Sequence, residues 1–155
     1  MTKIKFSIAH KDEEMLDLVK NTEHKKLALW AIACAERVLP YFEKKYPKDK
    51  RPRIAIETLQ AWIKTGIFKM VVIRKASLDS HVAAREVGED SAARSAARAA
   101  GQAVATAHVP RHAYGAAVYA QQAIFRATNS VEADVAATAE RDWQYHQLLK
   151  IKNKS

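Results

Sequence analysis

The chain has 155 residues, of which 48% are hydrophobic and 28% charged, and its formal net charge at pH 7 is +9. This length and composition fit one folded domain with its own core and exclude a disordered chain. Its four glycines and four prolines predict long elements, and no apolar run approaches the roughly 20 residues that a membrane-spanning helix needs.

The only cysteine, Cys34, excludes an internal disulfide and favours a reducing compartment. Residues 1–12 lack the apolar segment and the small-residue cleavage site of a secretory signal. We therefore expect a cytoplasmic protein that does not contact a membrane. Because Cys34 shares an apolar stripe with Trp30 and Val38, we expect it in the core rather than in a catalytic site.

The first apolar residues of the chain alternate with other residues as in a β-strand: Ile4, Phe6 and Ile8. Three such residues are too few to support a sheet alone. Pairing with another chain and a frayed terminus both stay open as roles for this segment. Residues 12–20 then predict a short helix, because acidic residues stand near its start and Lys20 at its end.

The next helix is expected to begin at a cap formed by Asn21 or Thr22. Apolar residues recur at three- and four-residue steps over 27–38, which predicts one buried stripe. Pro40 removes a backbone donor. We therefore expect this helix to kink or restart there and to end near residue 46.

Proline, glycine and capping residues divide the remainder into further helices. From Ala76 onward alanine dominates, and alanine lets helix axes approach closely. The sequence therefore predicts one all-α domain over residues 1–155, a compact bundle of six or seven helices. The expected segments are Pro52 to a cap at Gly66, Phe68 to Val87, Asp90 or Ser91 to Ala107, Pro110 to Arg126, Ser130 to Leu149, and a frayed basic tail at 150–155.

The basic excess lies in the first half of the chain, where residues 1–75 hold 17 Lys and Arg against 9 Asp and Glu. A dense patch of this kind attracts anionic partners such as nucleic acid or acidic protein. A solvated, solubilising lysine-rich surface is nevertheless the favoured interpretation of this patch. A nucleic-acid or polyanion-binding helical module is thus one functional hypothesis, and its candidate contacts are Lys44, Lys45, Lys48, Lys50, Arg51 and Arg53.

Three histidines in the alanine-rich half raise the question of a metal site. His108 and His112 stand four residues apart, a spacing that lets two imidazoles share a metal ion on one helix. Pro110 between them disfavours a continuous helix, however, and His81 would have to be the third ligand. A metal-dependent enzyme is therefore an alternative hypothesis. Hydrogen bonding between packed helices is the favoured interpretation, and no metal, cofactor or catalytic residue is predicted.

Arginines accompany these histidines in what we treat as one polar cluster. Arg94 and Arg98 share a helix face and are suited to binding a carboxylate or a phosphate. Arg85 follows His81 by one helical turn. Internal ion pairs are nevertheless the favoured interpretation, and their candidate partners are Glu86, Glu89, Asp90, Glu140 and Asp142.

Two stretches of the sequence are distinctive: His24 to Glu36 with Leu27-Ala28-Leu29-Trp30-Ala31, followed by Arg51-Pro52-Arg53, and Ala97 to His108, followed by His112-Ala113 and Gly115-Ala116-Ala117. Together they resemble the immunity-five-like family, small alanine-rich helical bacterial proteins regarded as putative immunity proteins of polymorphic toxin systems. The resemblance covers about residues 23–127. It implies a non-enzymatic, cofactor-free protein that binds a toxin domain and blocks it.

The resemblance carries over no catalytic residue. It implies only that the matching polar residues form a polar core or one shared surface: His24, Arg51, Arg53, His81, Arg85, Arg98, His108 and His112. A net charge of +9 disfavours a nuclease as the toxin, because nucleases carry basic surfaces that grip phosphates. We expect either another kind of toxin or a local acidic face, for which the candidates are residues 12–17 or Glu132, Asp134, Glu140 and Asp142.

Overall fold

The computed structural model describes residues 6, 12–129 and 131–155. This part of the chain contains seven helices and no strand, which confirms the predicted all-α bundle. The expectations for Ile4, Ile8 and Ser130 lie outside the described residues. The helices are α1 (Glu13–Lys20), α2 (His24–Glu43), α3 (Arg51–Thr65), α4 (Met70–Glu86), α5 (Ala92–Ala105), α6 (His112–Ala127) and α7 (Ala133–Asn153).

Helix α5 lies at the centre of the bundle and contacts α2, α3, α4 and α6. Its buried positions carry mainly small residues: Ala93, Ser95, Ala96, Ala97, Ala99, Ala100, Gly101 and Ala103. Because such side chains barely project, the surrounding helices can approach closely. One stripe of α5 remains half-exposed between its neighbours, and it consists of Arg94, Arg98, Gln102 and Ala105.

Larger side chains fill the core around α2 and α3, where Trp30, Phe42 and Leu59 are at most 1% exposed. The indole N–H of Trp30 donates to the carbonyl of Gln144 on α7 at 2.8 Å. Cys34 is fully buried, as expected, and its burial raises the pKa of the thiol well above its ordinary value. None of the described helices is both long and apolar enough to cross a membrane.

Several predicted helix ends are confirmed by the cap geometry. A carboxylate oxygen of Asp12 accepts the N–H of Met15 at 3.2 Å and begins α1. Gly66 ends α3 with a φ of 70°, a left-handed conformation that glycine adopts without a steric penalty. Ser91 begins α5 by accepting the N–H of Arg94 on its hydroxyl.

The predicted start of α2 is wrong, because its N-cap is Glu23 rather than Asn21 or Thr22. The hydroxyl of Thr22 instead donates to the carbonyl of Leu18 at 2.6 Å, within the end of α1. Of the kink or restart expected at Pro40, the restart is absent, because α2 is one helix that continues to Glu43, three residues short of the predicted end near residue 46. Pro40 lies in the last turns of the helix, where its ring costs a single backbone hydrogen bond.

The predicted end of α7 near Leu149 falls short, since the helix runs to Asn153, and residues 150–153 of the tail expected to be frayed are helical. The ammonium of Lys26 on α2 donates to the carbonyls of Lys152 and Lys154, at 3.0 and 2.6 Å. Cations favour a helix C-terminus and its unpaired carbonyls. This tertiary contact explains why α7 extends further than its own sequence indicates.

Candidate functional site

Half of the predicted basic patch is occupied by ion pairs within the chain. Arg51 pairs with Asp49 at 2.6 Å and with Glu86 at 2.5 Å, and its hydrogen bonds lower the pKa of both carboxyl groups. Arg53 in turn pairs with Glu36 and Glu43. Lys45 reaches Glu89 at 3.0 Å. In the described part of the chain, the exposed cations of this patch that make no ion pair are Lys44, Lys48 and Lys50.

The predicted acidic faces are partly occupied by ion pairs within the chain. Arg141 pairs with Asp12, Glu14 and Asp142 at 2.9, 2.8 and 3.2 Å. Glu140 is 5% exposed and binds a single arginine, Arg37, described below. Half of these carboxylates are therefore paired, whereas the other half are exposed and make no ion pair with the described residues: Glu13, Asp17, Glu132 and Asp134. Both faces thus keep free negative charge that a basic partner could contact.

The ten arginines divide into two groups according to whether they form an ion pair with a described carboxylate. Five of them pair with carboxylates of the described residues: Arg37, Arg51, Arg53, Arg126 and Arg141. The other five make no ion pair with any described carboxylate, and all of them belong to α4, α5 or the turn before α6: Arg74, Arg85, Arg94, Arg98 and Arg111. Four of these five arginines thus lie on α4 and α5, whereas Arg111 precedes α6 and borders a groove that also contains Glu13 and Asp17.

His81 and Arg98 join α4 to α5 within the predicted polar cluster. Nη1 of Arg98 lies 2.9 Å from Nδ1 of His81, and a guanidinium can only donate, so Nδ1 accepts. Burial, followed by the charges of Arg98, Arg85 and His112, lowers the pKa of His81 to about 4. The imidazole is therefore neutral at pH 7, with its proton on Nε2.

Gly101 provides the space for this imidazole. A Cβ built on Gly101 would lie 2.7 Å from Nε2 of His81, closer than real side chains come. The carbonyl of Gly101 also accepts a hydrogen bond from the hydroxyl of Ser77 at 2.9 Å. A lone glycine inside an alanine-rich helix thus marks the close approach of α4 and α5.

His112 and His108 have partners that differ from those of His81. Nδ1 of His112 lies 2.8 Å from Oε1 of Gln102, and since a carbonyl oxygen only accepts, Nδ1 carries the proton. Burial, then the charge of His108, lowers the pKa of His112. The ring of His108 stacks on Phe68 with centroids 6.1 Å apart. Among the described residues, no three His, Cys, Asp or Glu side chains are grouped so that they could hold a metal ion.

His24 lies apart from this cluster. Its Nε2 donates to the carbonyl of Thr106 at 2.5 Å, and its ring contacts Trp62 with centroids 4.8 Å apart. It borders a groove of about 650 Å³ that carries both acidic and basic side chains, among them Asp17 and Arg111. This mixed lining favours no particular ligand charge.

The side chains of one α4 stripe and one α5 stripe form a continuous surface. Hydrogen bonds from Ser77 to Gly101 and from Ser80 to Ala97 show that the two helices run antiparallel, because the later residue of α4 contacts the earlier residue of α5. The stripe on α4 recurs at three- and four-residue steps, so its members share a face. We call this the α4–α5 surface, and it consists of Met70, Arg74, Leu78, His81 and Arg85 on α4 with Arg94, Arg98, Gln102 and Ala105 on α5.

Large apolar side chains are exposed around the start of α4. We call them the apolar patch: Ile67, Phe68, Met70, Val71, Val72 and Leu78, with exposed fractions from 41% to 80%. A groove of about 470 Å³ lies between α3 and two members of the patch, Ile67 and Val72. A smaller groove of about 200 Å³ lies between Met70, Leu78 and His108. The apolar patch therefore adjoins the α4–α5 surface, with which it shares Met70 and Leu78.

The sequence patterns considered above did not identify the apolar patch, although a signal for it exists. Six of the seven residues from Ile67 to Ile73 are apolar. An amphipathic helix buries only one stripe, so such a run exceeds what the core can cover. Of this run, only Ile73 is buried, at 4% exposed.

Comparison with known proteins gives one family. The sequence profile described as "Imm-5 like putative immunity protein" matches residues 17–151, most of the chain. No match was found among curated proteins or among solved structures.

Proposed function

The chain belongs to the Imm-5 like family, and on that premise we propose that it is a non-catalytic immunity-type protein that binds a toxin domain and blocks it. The observation that supports a binding role is the apolar patch at the start of α4. Soluble proteins rarely expose large apolar side chains side by side unless a partner covers them. Leaving them in water forfeits the favourable free energy of burial.

Inhibition of a toxin domain tests this proposal. Capture with the untagged chain from a lysate of its source, followed by mass spectrometry and a metal count, identifies candidate toxin domains. The purified chain should then form a stoichiometric complex with the toxin domain and suppress its activity without consuming any substrate. A toxin that keeps full activity in the presence of excess chain would contradict the proposal, as would turnover by the chain alone.

A second candidate function is polyanion binding, supported by Lys44, Lys48 and Lys50, which are exposed and make no ion pair with described residues. It requires an affinity for duplex DNA or RNA that falls steeply with salt, because each neutralised phosphate releases a counterion. Replacing the three lysines by glutamine should then reduce the slope of log affinity against log salt concentration by about one unit for each phosphate contact that is lost. An affinity and a salt dependence that do not change with these replacements would contradict polyanion binding by this patch.

A further inference from the structure

The charge and apolar pattern of α4 and α5 points to the chemistry of the partner. We infer that the α4–α5 surface receives an acidic amphipathic segment of a protein, whose apolar side chains cover the apolar patch and whose carboxylates bind Arg85, Arg94 and Arg98. The inference rests on the proposed function for the partner being a protein. It adds which surface is used and which charge the partner carries.

The first support is the sign of the charge around the apolar patch. Between Glu57 and Asp79 the chain has no acidic residue and four basic ones: Lys64, Lys69, Arg74 and Lys75. Lys75 pairs with Asp79 at 2.6 Å, whereas the other three make no ion pair with the described residues. An apolar surface with a basic rim selects a partner with apolar anchors and acidic flanks.

The second support is the state of the arginines on α5. The paired arginines of this chain show that carboxylates are available to guanidiniums elsewhere in the fold. Among the described residues, the one hydrogen-bond partner of Arg98 is nevertheless a neutral imidazole, and Nε of Arg94 is buried without any hydrogen bond to them. Partial burial of such a cation is costly until an anion compensates it. Arg94 and Arg98 lie one helical turn apart, so two carboxylates of a partner can bind side by side.

The third support is the order of the apolar and basic side chains along the α4–α5 surface. On α4, Met70 lies at one end, Leu78 near the middle and Arg85 at the other end. Met70 and Arg85 are about 22 Å apart at 1.5 Å per residue. Arg94 on the antiparallel α5 lies near the Arg85 end, because Ser80 and His81 contact Ala97 and Arg98. One extended face of a partner, apolar at one end and acidic at the other, can therefore cover the whole surface.

A protein fits this surface better than a nucleic acid does. Nucleic-acid surfaces combine a basic track with aromatic rings on which bases stack. Here Phe68 is the only aromatic member of the apolar patch, and its ring already stacks on His108. The aliphatic side chains of Val71, Val72 and Leu78 have no counterpart on a phosphate backbone.

A titration with two designed peptides tests the inference without the toxin. Both are 18-residue helical peptides with identical leucine positions, one with glutamate and one with lysine at its polar positions. Binding to the ¹⁵N-labelled chain is followed by amide chemical shifts. We expect the glutamate peptide to bind about tenfold more tightly and to shift amides of α4 and α5 first.

Matched variants separate this site from general attraction between opposite charges. The double variant Arg94→Gln/Arg98→Gln should lower the affinity for the glutamate peptide about tenfold. The control variant Lys20→Gln/Lys150→Gln removes the same charge elsewhere and should change this affinity less than twofold. Leu78→Ser should lower the affinity for both peptides. Val135→Ser, which replaces a 73% exposed valine on α7, should change neither affinity. Thermal unfolding of each variant checks that the fold is retained.

The inference is overturned if the glutamate peptide does not bind, if it binds no better than the lysine peptide, or if both arginine-to-glutamine changes leave its affinity intact. A DNA duplex that shifts the same amides at lower concentration would also overturn it, in favour of nucleic acid. A toxin that is still blocked by the Arg94→Gln/Arg98→Gln variant leaves the proposed function standing and removes this site. Binding of the glutamate peptide to α4 and α5, with no toxin domain inhibited by the chain, would support this site and contradict the proposed function.

Discussion

The guanidinium of Arg37 meets the buried carboxylate of Glu140 through two hydrogen bonds, of 2.7 Å from Nε and 2.8 Å from Nη2. The same guanidinium lies 3.8 Å from the ring centre of Trp143. This pair ties α2 to α7. It also shows how the fold compensates a buried charge where it has a carboxylate to use.

Replacing the carboxylate of this pair should destabilise the fold. We expect Glu140→Gln to lower the free energy of unfolding by about 1–2 kcal/mol, because one charged hydrogen bond is lost while the half-exposed Arg37 can still be hydrated. Denaturant unfolding measures the change. Glu57→Gln, at an exposed glutamate on α3, is the control and should stay within about 0.5 kcal/mol of the parent.

Gln144 forms a buried polar network that cannot be replaced by an apolar residue without loss. Its side-chain amide donates to the carbonyl of Ala117 at 2.9 Å and accepts from Gln121 at 2.8 Å. Gln144→Leu should cost about 2–4 kcal/mol, because two buried polar groups lose their partners. Adding Gln121→Leu should recover part of this loss. A purely additive double variant in chemical denaturation would contradict the network.

Gly101 should tolerate alanine only when His81 is shortened. Alanine in a helix interior gains about 1 kcal/mol over glycine, but here its Cβ would lie 2.7 Å from the imidazole. We expect Gly101→Ala to destabilise the protein by about 1–2 kcal/mol. In a His81→Ala background the same change should become neutral or stabilising. A Gly101→Ala effect that is equal in both backgrounds would refute the close contact.

His81 should make the stability depend on pH in a defined window. Because its pKa is lowered to about 4 in the folded state and is about 6.5 in the unfolded chain, the unfolded state binds the proton first. The free energy of unfolding should therefore be highest above pH 6.5 and fall as the pH drops towards 4, by at most about 1.4 kcal/mol per pH unit. Solvent access to the partly exposed ring reduces this slope.

Carboxylates titrate in the lower part of the same window, so the informative quantity is a difference between two proteins. The free energy of unfolding of His81→Gln, measured across pH 4–7.5, should decline less steeply than that of the parent. Parallel curves would show that His81 is not held neutral by the fold.

The parts of the fold that sequence predicts are those set by local chemistry. Asp12, Gly66 and Ser91 act within a few residues of their own positions, so their roles as caps follow from residue type. The end of α7 does not, because the cation that satisfies its carbonyls comes from Lys26, more than a hundred residues away in sequence. Neighbouring residues give no indication of such a partner.

The candidate site shows the same division. The four-residue step places Arg94 and Arg98 on one face of α5, as expected. Whether they are compensated depends on where the carboxylates go, and the fold directs Glu86 to Arg51 and Glu140 to Arg37. The excess of apolar residues after Gly66 is visible in the sequence. Which of them stay in water is decided by the packing of α4 against α3 and α5.

Cys34 gives this protein a built-in chemical reporter of its own opening. The thiol is enclosed by the core, so a thiol-specific dye can react only when α2 separates from its neighbours. The labelling rate under native conditions then measures how often that separation occurs. Any molecule that binds the folded chain makes the opening rarer by mass action, so slower labelling of the unmodified protein can identify a partner before its binding site, or its activity, is known.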